Sequence, residues 1–102
     1  MEPFIQLVNN IKMNINNVIF DIVFSEGKVG HLYFPNNYGI SVVQYAGSST
    51  YVISLLQRIN NDAWSADMDD NMKSVTETNN LQDVSEEQVN IYITQVKNLL
   101  KK

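Results

Sequence analysis

The chain has 102 residues and no cysteine. That excludes a disulfide framework, a thiolate zinc site and a cysteine nucleophile. It says little about compartment. No apolar run exceeds three residues, so no helix here reads as membrane-spanning. The opening stretch MEPFIQLVNN has no basic segment and no long apolar core. It does not read as a secretory signal, and a location in the cytoplasm is expected. There is one arginine, Arg58, and one histidine, His31. Sequence-independent nucleic-acid binding needs clustered Lys and Arg, so no direct nucleic-acid partner is expected.

What is present points to one globular domain over 1–102. The hydrophobic fraction is 44%, ordinary for a packed core. The net charge of −4 is unevenly placed. Residues 1–58 hold three acids and three bases. Residues 59–87 hold eight acids against Lys73 alone, a net of −7. Residues 88–102 carry only Lys97, Lys101 and Lys102. Fourteen asparagines, many in pairs between apolar segments, sit where turns do; the alternatives are AT-rich codon usage and a prion-like bias, and the placement favours the first.

Residues 3–12 predict a helix, with Phe4, Leu7, Val8 and Ile11 on one stripe. Pro3 suits its first turn. From Asn17 to Phe24 the pattern turns to alternation, with Val18, Phe20, Ile22 and Phe24 on one face. Ser25–Lys28 predicts a turn and Val29–Phe34 a returning strand. Pro35–Gly39 predicts a second turn. Strands over Ile40–Tyr45 and Tyr51–Gln57 follow, then a short one near Ala63–Ala66. Short connections make an antiparallel meander the simplest topology. Residues 67–83 read as irregular, with a short strand around Met72–Thr76. Ser85 and Gln88 form a capping box, with Val84 and Val89 as its hydrophobic staple. The helix they start carries Val89, Tyr92, Ile93, Val96, Leu99 and Leu100 as its buried stripe. The expected fold is α+β: an antiparallel four- to five-stranded sheet with an N-terminal and a C-terminal helix.

Both faces of that sheet carry apolar side chains, whereas a one-sided sheet alternates apolar and polar. Ile19, Val23, Leu32, Val43, Tyr45, Val52 and Leu56 fall on a second face. The two helices could cover opposite faces, the sheet could curl, or another chain could cover it, as in a homodimer.

No residue pattern marks an enzyme. His31 has no marked nucleophile, and it reads as a strand histidine. A catalytic reading would need Asp21 beside it across the first hairpin. Ser48–Thr50 lacks the glycines of a nucleophile elbow. Gly27–Gly30 lacks phosphate-loop spacing. Asp67, Asp69 and Asn71 match the first three ligand positions of a calcium loop, but Met72 and Thr78 replace its glycine and glutamate. No metal and no cofactor are expected. The alternatives for the acidic run are a solvated loop and a surface for a basic partner. The candidate partner-binding residues are Asp62, Trp64, Asp67, Asp69 and Asp70. Trp64 is either a core anchor under a hairpin or an interface hot spot.

Phe34-Pro35-Asn36-Asn37-Tyr38-Gly39-Ile40-Ser41-Val42-Val43, a strand like Tyr51–Leu56, and Asp83-Val84-Ser85-Glu86-Glu87-Gln88-Val89 together resemble a type of small protein encoded by phages and prophages. The resemblance spans residues 32–100, and its motifs are structural. It implies a phage accessory protein in a host-cell cytoplasm and carries no functional residue over. Such proteins often bind and block host proteins. The resulting expectation is a non-catalytic inhibitor, such as an anti-CRISPR or other anti-defence factor. Its partner would be a host protein with a basic surface, such as a nucleic-acid-binding nuclease. The alternative is an oligomeric module that pairs through the second sheet face.

Overall fold

Turn chemistry and strand alternation set the topology. A computed structural model describes residue 15 and residues 18–100. The expected N-terminal helix over 3–12 lies outside the described residues. Strand β1 covers Ile19–Phe24, β2 Gly27–Tyr33, β3 Tyr38–Tyr45, β4 Tyr51–Asn60 and β5 Ala63–Ser65. They pair antiparallel in sequence order, which is the expected meander. A short helix α1, Asp70–Lys73, then precedes strand β6, Leu81–Val84, and helix α2, Glu86–Lys97. Strand β6 also pairs with β4, so the sheet has six strands among the described residues, not four or five.

β4 is long enough to serve two neighbours on one edge. Its end pairs with β5 through Gln57, Arg58 and Asn60. Its beginning pairs with β6 through Tyr51 and Ile53. Asn79 fills the gap between them. Its Oδ1 accepts from the Leu55 N–H at 2.8 Å, and its Nδ2 donates to the Leu55 carbonyl at 2.9 Å. A side-chain amide thus does the work of a missing strand residue, and the backbone of Leu55 stays satisfied.

One face of the sheet carries Leu32, Ile40, Val42, Ile53 and Leu55, all buried. Helix α2 covers it, packing on β3 and β4 with Val89, Ile93 and Val96 fully buried. Each such side chain contributes about 2 kcal/mol of apolar burial. The capping box is formed: Ser85 Oγ accepts from the Gln88 N–H, and Gln88 Oε1 accepts from the Ser85 N–H. At the other end Asn36 Nδ2 donates to the carbonyls of Val96, Lys97 and Leu99. These are the groups a helix terminus leaves unpaired. The helix stops at Lys97, so Leu100 leaves the stripe and is 79% exposed.

The opposite face is built in rows across β2, β3 and β4. Tyr33, Gly39 and Leu56 form one row, His31, Ser41 and Ser54 the next, and Val29, Val43 and Val52 the third. No described helix lies on this side. Leu32, expected here, faces α2 instead, because β2 alternates out of step with the assumed pattern. In β1 the register slips between Ile19 and Ile22. That bulge moves Ile22 off the face of Val18 and onto the row of Val29. Ile19 and Val23 are left 74% and 77% exposed.

Two further expectations are corrected. Met72–Thr76 is not a strand: Asp69 caps the amide of Met72 and starts α1. Residues 81–83, read as irregular, form β6 together with Val84. Asn80 and Asp83 there take positive φ, 58° and 52°, which Asn and Asp tolerate better than most residues. No described helix is long and apolar enough to cross a membrane.

Candidate functional site

Asp69 does two structural jobs at once. Its Oδ1 accepts from the Met72 N–H at 2.9 Å as the N-cap of α1. Its Oδ2 accepts from the Tyr38 hydroxyl at 2.6 Å. Asn71 Nδ2 donates to the same hydroxyl oxygen at 3.3 Å. Tyr38 is 1% exposed, and Met72 beside it is fully buried. Burial, reinforced by the bond to Asp69, pushes the Tyr38 phenol above its ordinary pKa. The acidic segment is therefore fastened to the α2 side of the sheet. The Asp67 carbonyl adds a second tie by accepting from Gln57 Nε2 at 2.7 Å.

With Asp69 turned inward, the carboxylates of Asp67 and Asp70 stand exposed on either side of it in the chain. Asp62 is exposed at the β4–β5 turn. Its N–H is held by Asn60 Oδ1 at 2.9 Å. Among the described residues none of these three carboxylates has an ion-pair partner.

Trp64 lies elsewhere. It pairs with Arg58 across β4–β5 and joins the face opposite α2. Its ring meets Tyr33 with centroids 4.5 Å apart, and Tyr33 stacks on His31 at 5.8 Å with planes 4° apart. Tyr33 can lean across the sheet because its cross-strand neighbour is Gly39. A Cβ there would sit 3.1 Å from Tyr33 Cδ1 and 2.6 Å from the Leu32 carbonyl oxygen. Leu56, in the same row as Tyr33 and Gly39, is buried. Trp64 is half-buried on the face opposite α2 and is not part of the core under α2. The sheet thus separates Trp64 from Asp67, Asp69 and Asp70. Sequence reasoning missed Tyr33 as a site residue. Its place two residues after His31 on one strand was the available signal.

The Arg58 guanidinium donates to the Asn60 and Asn61 carbonyls at 3.2 and 3.1 Å, beside a shallow polar cleft that Asn37 also lines. His31 pairs with Ile19 across the first hairpin, so the backbone register does not set Asp21 directly opposite it. Met72, at the position where a calcium loop needs glycine, is fully buried. Among the described residues no three His, Asp or Glu side chains are grouped to hold a metal ion.

A scan of family models matches none to this chain, and comparisons with curated proteins and with solved structures give no match.

Proposed function

We propose that this chain is a non-catalytic binding protein that inhibits a host protein by docking its acidic segment on a basic surface. One observation carries the reading. Asp69 is locked to Tyr38 and to the α1 N-terminus, so Asp67 and Asp70 are displayed from an anchored backbone. Anchored charges cost less ordering entropy on binding than charges on a mobile loop. Their field also speeds encounter with a positively charged partner. A nuclease groove that binds phosphates has the required sign. The phage resemblance over residues 32–100 agrees with an anti-defence role of the anti-CRISPR kind.

The test is capture of host proteins on immobilised wild type and on a triple variant, Asp62→Lys, Asp67→Lys, Asp70→Lys. A partner held by the wild type at low salt should be lost with the variant and at high salt. Equal retention by both would remove the acidic segment from the interface.

A further inference from the structure

The face opposite α2 is a second surface, separate from the acidic segment, and we infer that it takes a second copy of this chain. Half of the exposed large hydrophobics among the described residues lie there. Ile19, Ile22, Tyr33 and Tyr45, all exposed large hydrophobics, belong to this face by strand register. Contiguous apolar patches of that kind mark interfaces.

Charge selects the occupant. Among the described side chains of this face only Arg58 is charged, and it lies at the β5 end. Asp67, Asp69 and Asp70 are on the other side of the sheet. Among its described side chains the face offers no carboxylate to attract the basic partner proposed above. Two copies can meet here without bringing their acidic segments together, despite a net charge of −4 each.

Relief also fits a twofold. The middle row, His31, Ser41 and Ser54, carries two short serine side chains and runs between rows of larger ones. The Tyr33–Trp64 ridge flanks it on one side and the valine row on the other. A twofold axis lying in the interface along the middle row places each aromatic ridge on the partner's valines. Two sheets pack this way about 10 Å apart. Among the described residues the Ser41 and Ser54 hydroxyls have no bonding partner, and across the axis they meet their own mates.

The area is sufficient. Four strands about 4.8 Å apart, at about 3.3 Å per residue over about seven residues, give a projected footprint of roughly 450 Å² per copy. Side-chain relief brings the pair to roughly 1,000 Å² in total, the lower limit for a specific interface. A concentration-dependent dimer is therefore expected.

Sedimentation equilibrium of the full chain tests this over a wide concentration range. The mass should rise from 11.6 kDa to twice that value. Val43→Lys should stay folded by circular dichroism and remain monomeric, while the acidic triple variant should still dimerise. Should Val43→Lys not fold, Ser41→Cys supplies the answer. It is the sole thiol in the chain, and a short bismaleimide should link two copies through it. A monomeric mass at every concentration overturns the inference. So does a doubled mass with no Ser41→Cys cross-link, which would place the contact on another surface. Loss of dimerisation with host capture intact would separate this face from the acidic one; the reverse pattern in the acidic variant does the same.

Discussion

The Tyr38 hydroxyl donates to Asp69 Oδ2 at 2.6 Å, joining the second turn of the meander to the acidic segment 31 residues later. The phenol is buried and the carboxylate is half-buried. A hydrogen bond to a charged acceptor in such a setting is worth about 1.5–3 kcal/mol, less where water screens the carboxylate.

Tyr38→Phe removes that bond and keeps the ring. Unfolding in urea should show a loss of about 1–2 kcal/mol. Asp69→Ala removes the helix cap as well and should cost about 1 kcal/mol more. The double variant should lose less than the sum, because the two residues share one interaction. Strict additivity would show that the bond contributes nothing.

The raised pKa of Tyr38 has a signed consequence. Above the ordinary tyrosine value, near pH 10, the unfolded chain gives up the phenolic proton before the native state does. The native state then holds more protons, so stability falls as pH rises. Denaturation midpoints should drop from about pH 10 upward in the wild type, and by a smaller amount in Tyr38→Phe. Parallel curves would contradict the assignment.

Asn36 closes the C-terminus of α2 with one amide donating to three carbonyls, while its Oδ1 accepts from the Tyr38 N–H at 3.0 Å. Asn36→Ala should cost about 1–2 kcal/mol. Asn36→Asp should cost more, because a carboxylate would face the carbonyl oxygens and the negative end of the helix dipole. A milder effect of Asp than of Ala would refute the capping role.

Gly39→Ala should be among the most damaging single-methyl changes. The added carbon would meet backbone at the Leu32 carbonyl, 2.6 Å away, and crowd Tyr33. A loss of about 1–3 kcal/mol is expected from overpacking. Tryptophan fluorescence should shift with it, since Tyr33 would leave Trp64.

These residues also show which signals were readable in the sequence. The α2 start was legible because Ser85, Gln88, Val84 and Val89 act within one turn of each other. The meander was legible because each connection is short and rich in turn residues. Strand β6 was not, because the gap beside it is bridged by Asn79, a side chain acting 24 residues away on Leu55. Helix α1 was missed for a related reason. Asp69 looks like one acid among several until Tyr38 is seen to hold it. The face of Ile22 was misread because a bulge breaks the alternation of β1. The acidic run was visible as composition, but its division into one structural and two displayed carboxylates was not. Trp64 was visible as a candidate anchor, and the side of the sheet it occupies depends on the β4–β5 pairing.

The central claim is that displayed carboxylates on an anchored segment hold a basic host protein. Quantitative capture from host lysate at stepped salt, with wild type beside the Asp62→Lys, Asp67→Lys, Asp70→Lys variant, tests it most directly. The account predicts a partner retained by the wild type, released as salt rises, and lost with the variant. A partner retained equally by both proteins, with no dependence on salt, would contradict it.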